Sequence, residues 1–171
     1  MSTKNHIDTN EQTDIFEQRE YLKPYEYPEF MDYKEAITNS FWTHDEFNFA
    51  PDVQHFRAEA TPVERSVIRK TILAISQIEV KVKRFWSDIY DRMPKPEIGS
   101  VGSVFSGSEV SHMDTYSQLL DVLGLEDEFK QLHEVPAIQS RMDYLEDCLD
   151  GAESADREEY AQSILLFSTF I

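Results

Sequence analysis

Cysteine, glycine and positive charge are all scarce in this sequence of 171 residues, and two of these shortages exclude whole classes of protein. The single cysteine, Cys148, has no partner for a disulfide within the chain, which favours a reducing compartment, and we predict a cytoplasmic location. Only 16 lysine and arginine residues stand against 33 acidic residues, which gives a formal net charge of −17. A chain of this sign repels nucleic acid and anionic membrane surfaces, so neither is expected as a partner.

Long apolar runs are missing as well. No window approaches the roughly eighteen apolar residues of a transmembrane helix, and the polar N-terminal segment MSTKNHIDTNEQTD lacks the apolar core of a signal peptide. With only five glycines, long stretches carry no turn signal, so the composition favours helices. We therefore predict an all-α protein.

The first residues have the composition of a tail rather than of a folded domain. Residues 1–26 are predicted to form a flexible polar tail and an extended strap, because they are polar, aperiodic and then rich in tyrosine and proline. Residues 27–171 are predicted to be the helical domain. Its first helix is expected from near Pro28 to about Asn39.

Two long helices occupy the middle of the chain. A capping box formed by Thr61 and Glu64 predicts the start of the first, which is expected to continue without a break to the Met93-Pro94 turn. The second is expected to follow Pro96 and to end at Gly124. Three shorter helices are predicted after it, namely EDEFKQLHEV, a helix from Pro136 to near Gly151, and a last helix capped by Ser154.

Both long helices carry ionisable residues where their periodicity predicts core residues. Alternating spacings of four and three define one stripe on each helix, and such a stripe is expected to face a partner helix. The first stripe consists of Ile68, Ile72, Ile75, Glu79, Val82, Trp86 and Ile89, and the second of Phe105, Glu109, His112, Tyr116, Leu119 and Leu123.

Glu79, Glu109 and His112 are expected to meet. The two glutamates lie about 14 and 13 residues from the intervening turn, and at about 1.5 Å per residue both are roughly 20 Å from it. Glu109 and His112 share a face because they are three residues apart. Burying such groups is costly unless a metal holds them deprotonated. Oxygen and imidazole donors without thiolate favour iron or manganese, and the pattern is that of a ferritin-like helical bundle with a dimetal carboxylate site.

The segments around these residues resemble the small-subunit family of class I ribonucleotide reductases. GSEVSHMDTYSQLL is similar to the segment that holds metal ligands and a tyrosine, and SQIEVKVKRFWSDIY and PKPEIGSVGSVFSGSEVSH are similar to its flanking helices. FWTHDEFNF resembles the segment around the family's electron-relay tryptophan. The similarity extends from about Tyr27 to the last residue.

The resemblance implies a role for each matched residue. Glu79, Glu109 and His112 correspond to three ligands of two iron or manganese ions, in a diiron, dimanganese or mixed centre. Tyr116 corresponds to the tyrosine that holds a radical, and Trp42 to the tryptophan that passes electrons. The resemblance also implies a homodimer and a large subunit that uses this oxidising equivalent to reduce ribonucleoside diphosphates or triphosphates to deoxyribonucleotides.

The sequence departs from the family in the number of its ligands. The family uses six ligands from four helices, and only three are found here. We therefore expect the first part of the bundle, with the remainder in the same or a second chain. Two alternatives stay open, another ferritin-like dimetal oxidase and a non-catalytic helical interaction subunit. Asp52 and His55 have ligand spacing but are interpreted as surface residues, and Trp86 is interpreted as a packing residue.

Overall fold

Every regular element in the described part of the chain is helical, which confirms the predicted all-α fold class. The computed structural model describes residues 13–170, so the start of the predicted tail lies outside the described residues. Short 3-10 helices occur at His44–Glu46 and Leu132–Glu134. The α-helices are α1 (Glu29–Asn39), α2 (Ala50–Ala58), α3 (Pro62–Ile78), α4 (Val82–Arg92), α5 (Pro96–Leu123), α6 (Glu126–Lys130), α7 (Pro136–Glu153) and α8 (Arg157–Phe170).

The described residues divide into two compact units. The first unit takes the described part of Met1–Trp42 together with Lys83–Val110, and the second takes Thr43–Val82 with the described part of Ser111–Ile171. Helix α5 is continuous across the boundary between Val110 and Ser111. None of the helices between residues 13 and 170 is both long enough and apolar enough to cross a lipid bilayer.

In the first unit, the segment before α1 is attached to the start of α5 by four buried charged residues, which we call the strap network: Arg19, Glu26, Lys95 and Glu97. The Arg19 guanidinium donates to Glu97, with 2.9 Å between Nη1 and Oε1. Glu97 Oε1 also accepts from the backbone N–H groups of Glu26 and Tyr27 at 3.0 and 3.1 Å. The Lys95 ammonium lies 3.2 Å from Glu26 Oε2. Each charge of the network is therefore matched by an opposite charge from the chain.

In the second unit, leucines from successive elements form the core. Gly151 of α7 lies close to α8, because an added Cβ would be 2.1 Å from Ser163 Oγ. The buried leucines are Leu73, Leu120, Leu125 and Leu132, and Ile72, Leu123, Phe129 and Ile138 pack against them.

Several predicted helix ends are confirmed. Thr61 caps α3 through the expected reciprocal bonds, because Thr61 N–H donates to Glu64 Oε2 at 2.8 Å and Glu64 N–H donates to Thr61 Oγ1 at 3.3 Å. Helix α5 begins at Pro96 and ends before Gly124, whose φ of 72° is the left-handed conformation that glycine adopts without strain.

The prediction of one unbroken helix from Thr61 to Met93 is wrong. Helix α3 ends at Ile78 and α4 begins at Val82, with Glu79 at the end of α3. The Lys81 N–H donates to the Ile78 carbonyl at 3.0 Å, which is a tight-turn bond, and the Lys81 side chain pairs with Glu146 of α7. The turn contains neither glycine nor proline, so no local signal marks it.

Two further predictions about elements are wrong. Helix α2 was not expected. It is short and has no buried residue, so it shows no clear apolar stripe. The signal that marks its start is Pro51 in its first turn. The segment EDEFKQLHEV does not form one helix but divides into α6 and the 3-10 helix Leu132–Glu134.

The cap of the last helix is Asp156 rather than the predicted Ser154. Asp156 Oδ1 accepts from the backbone N–H groups of Glu158 at 2.8 Å and Glu159 at 3.0 Å. Ser154 lies two residues earlier, where its hydroxyl accepts from the Asp156 N–H at 3.1 Å. Both residue types cap helices, so residue type alone does not decide between positions 154 and 156.

Candidate metal centre

Helices α3 and α5 carry the three predicted ligands, which we call the ligand cluster: Glu79, Glu109 and His112. Glu79 is at the end of α3 and only 7% exposed, whereas Glu109 and His112 are half-buried on α5. One donor atom from each residue lies within 4.8 Å of the donor atoms of the other two. The structure thus brings together the residues that the periodicity predicted to meet.

The ligand cluster has the donor chemistry and the spacing that an iron or manganese site needs. It offers two carboxylates and one imidazole, a set that suits these metals. With metal–ligand bonds of about 2.1 Å, donors on opposite sides of one ion are about 4.2 Å apart, so small side-chain adjustments would suffice. Among the residues that the structure describes, no other group of three or more such side chains is gathered this closely.

An indole N–H contacts the ligand cluster. Trp86 Nε1 of α4 donates to Glu109 Oε1 at 3.2 Å. The Trp86 ring stacks on Phe105 of α5, with 4.5 Å between centroids and an interplanar angle of 17°, and meets Phe85 edge-on at 5.1 Å. The ring contacts agree with the predicted packing role. The hydrogen bond adds a polar contact to this packing role. The only sign of it in the sequence is that Trp86 lies seven residues after Glu79 on the same stripe.

Tyr116 and Trp42 are both half-buried. Tyr116 is four residues after His112 on α5, so the two share a helix face. Trp42 follows α1 and comes two residues before His44, whose Nδ1 lies 4.0 Å from Asp114 Oδ2 of α5. The radical and relay roles of the tyrosine and the tryptophan remain predictions.

Other polar residues singled out by the sequence lie away from any such cluster. Asp52 and His55 are exposed, as predicted, and His55 Nδ1 is 3.3 Å from Glu59 Oε2. Cys148 is buried in α7, and burial raises the pKa of its thiol, which keeps it protonated and poorly nucleophilic.

Fold and site together define an all-helical protein with a carboxylate–histidine cluster carried by two of its helices. Comparison with known proteins makes this specific, because residues 19–171 match the family model described as "Ribonucleotide reductase, small chain". The chain belongs to this family. The resemblance seen in its segments is thereby confirmed, and its helices agree with the ferritin-like fold class.

Two viral proteins are similar to the chain, and both are named "Probable ribonucleoside-diphosphate reductase small subunit". That of Invertebrate iridescent virus 6 is 27% identical over 164 residues, which cover 89% of this chain and 46% of the relative. That of Invertebrate iridescent virus 3 is 22% identical over 174 residues, covering 94% of this chain and 46% of the relative. The chain thus spans about half the length of these curated relatives.

Proposed function

We propose that this chain supplies three ligands, Glu79, Glu109 and His112, to the dinuclear metal centre of a ribonucleotide reductase small subunit. The convergence of their donor atoms within 4.8 Å is the observation that carries the proposal. Membership in the small-chain family supports the proposal as well, because the matched residues 19–171 include all three. Two iron or manganese ions, when bound, would supply the oxidising equivalent that protein side chains do not generate by themselves.

The remaining ligands are proposed to come from another part of the small subunit, in the same or a second polypeptide. The curated relatives are about twice as long as the matched region, which is 46% of each. Ligands from two further helices would complete the arrangement of ferritin-like dimetal proteins, in which four helices contribute.

Tyr116 is proposed to store the oxidising equivalent as a neutral radical, which forms when the phenol gives up one electron and its proton. Its place one turn after His112 on α5 puts it on the face that carries two of the ligands. Its half-buried position limits contact with solvent, which favours the survival of a reactive species.

Trp42 is proposed to pass electrons between this centre and the large subunit of the reductase. The large subunit would then reduce ribonucleoside diphosphates or triphosphates in the cytoplasm, with the small subunit as a homodimer. The family match and the half-buried indole support this role.

Metal analysis tests the ligand cluster first. The protein is isolated with any co-purifying polypeptide retained, and iron and manganese are counted for the wild type and for Glu109→Gln. We expect about two ions per complete site in the wild type and a large loss in the variant, because an amide is a weak ligand for these metals. A complete bundle without either metal would contradict the proposal and favour a helical interaction subunit.

Electron paramagnetic resonance then tests the radical. The reconstituted, oxidised protein should show a tyrosyl signal that Tyr116→Phe removes and that the exposed Tyr90→Phe leaves intact. Metal uptake without a signal that depends on Tyr116 would favour a different dimetal oxidase.

A further inference from the structure

We propose that Trp86 is a positioning residue for the metal centre, whose indole N–H holds the Glu109 carboxylate in place for metal binding. The inference rests on the proposed function, since it assigns a role toward the same site. It changes the interpretation of Trp86, which the sequence pattern alone assigns to packing. Its basis is the 3.2 Å hydrogen bond from Trp86 Nε1 to Glu109 Oε1.

The indole has little freedom to point elsewhere. Phe105 stacks on one face of the Trp86 ring, and Phe85 meets the ring edge-on, with centroid distances of 4.5 and 5.1 Å. Phe105 lies one turn before Glu109 on α5, so the residue that orients the indole and the residue that receives its N–H share a face.

The backbone of α4 is held close to α5 at the same point. A Cβ added to Gly102 would be 2.6 Å from the Trp86 carbonyl oxygen, so the helices approach here only because this residue is a glycine. One turn further, the Ser106 hydroxyl donates to the Lys83 carbonyl at 3.4 Å. These contacts fix both ends of the Trp86–Glu109 hydrogen bond through the backbone as well as through the rings.

A tryptophan is chemically suited to this position. The indole is a neutral donor with no acceptor, so it orients a carboxylate without placing a positive charge beside a metal cation, as lysine or arginine would. A carboxylate has about four lone-pair sites, so Glu109 keeps acceptor capacity for a metal while one site receives the N–H. Groups that hold metal ligands in this way commonly change metal affinity when they are removed.

Nuclear magnetic resonance tests the contact without any metal. The chain has two tryptophans, so its ¹⁵N–¹H spectrum has two indole signals, and Trp42→Phe assigns them. We expect the Trp86 indole signal to move clearly in Glu109→Ala and to stay in place in Asp121→Ala, which removes an exposed acid from the same helix. If the Trp86 indole signal stays in place in Glu109→Ala, the inference is overturned. This result does not depend on whether the protein binds metal.

Manganese titration tests the positioning role. Trp86→Phe keeps an aromatic ring against Phe105 and removes the N–H, and we expect it to weaken manganese affinity about 10- to 100-fold with unchanged helix content. Phe105→Leu keeps the N–H but loosens the ring, so its effect should be smaller.

The outcomes separate the two proposals. If the wild type binds manganese and Trp86→Phe binds it equally well, the positioning role is overturned and the metal centre stands. If the wild type with its completing polypeptide binds no manganese, the metal centre itself is overturned, and the positioning role with it. If Trp86→Phe does not fold, the response of the Trp86 signal to Glu109→Ala decides.

Discussion

The strap network and the ligand cluster both concentrate charged residues in the interior, but their charges are balanced differently. The strap network pairs two carboxylates with one guanidinium and one ammonium, all at most 5% exposed. The ligand cluster brings together two carboxylates and one imidazole and contains no lysine or arginine.

This difference in charge balance distinguishes a structural cluster of charged residues from a metal centre. Burial alone does not distinguish them, because the strap network is the more deeply buried of the two. The balance of sign and the donor types do, since a set of carboxylates and imidazole is complemented by a divalent cation, whereas a set that contains lysine and arginine is already complemented. The two groups should therefore respond in opposite ways to substitution and to metal.

The largest effect is expected from Glu97→Ala in the strap network. Glu97 is fully buried and accepts bonds from Arg19 and from two backbone N–H groups, so its removal leaves a buried guanidinium without its main counter-charge. We expect a loss of about 3–5 kcal/mol in the free energy of unfolding, measured by urea denaturation of the metal-free chain. The exposed Glu20→Ala should change it by less than about 0.5 kcal/mol. A loss below about 1 kcal/mol for Glu97→Ala would show that the network is not a structural element.

A pH titration of stability should give the next largest effect. Burial by itself raises the pKa of Glu26, but the bonds from the Thr13 side chain and backbone and from Lys95 outweigh it and lower the pKa from 4.5 to about 2. Because the folded-state pKa is lowered, this contribution is present above pH 4.5 and is lost as the pH falls toward 2. This lowering of the Glu26 pKa corresponds to about 3 kcal/mol of stability.

Glu26→Gln isolates this contribution. Its unfolding free energy should fall less steeply than that of the wild type between about pH 5 and pH 2, because one linked carboxyl is gone. Glu20→Gln, with an exposed carboxyl from the same segment, should follow the wild type. Equal slopes for Glu26→Gln and the wild type would contradict the assignment.

The ligand cluster should respond to metal rather than to substitution alone. In the metal-free chain, Glu79→Gln should change the free energy of unfolding by less than about 1 kcal/mol, or raise it, because it removes one of two like charges. Manganese at 100 times its dissociation constant should stabilise the wild type by about 2.7 kcal/mol. The same concentration should leave Glu79→Gln nearly unchanged, while the exposed Glu126→Gln keeps the full shift. If metal-free Glu79→Gln lost as much free energy of unfolding as Glu97→Ala, the two groups would not differ in the way proposed.

Local rules explain what the sequence could predict. Helix ends at Thr61, Pro96 and Gly124 depend on bonds within a few residues, so they follow from residue type. The meeting of Glu79 with Glu109 and His112 was predicted from helical periodicity and from similar distances to one turn, and it occurs although the helix assumed for Glu79 ends at Ile78. The helix ends are properties of neighbours in the chain, so the sequence contains them directly.

Long-range contacts account for the features that the sequence could not predict. The strap network joins Arg19 to Glu97 across 78 residues, and no pattern around either residue indicates the other. The Trp86–Glu109 bond likewise depends on how α4 lies against α5, which the glycine at position 102 allows but does not dictate. The end of α3 at Ile78 belongs to the same class, because the turn after it is joined to Glu146 of α7.

The smallest effect is expected where charges are paired at the surface, at Lys81 and Glu146. Their side chains are 36% and 44% exposed, so water and salt screen the pair. A double-mutant cycle with Lys81→Ala and Glu146→Ala should give a coupling energy below about 1 kcal/mol that falls further at high salt. Burial of Ile78 and Val82 on either side of the turn would then be what holds the end of α3, and with it Glu79, in place. A coupling of about 2 kcal/mol or more would instead make this surface pair the element that positions the first ligand.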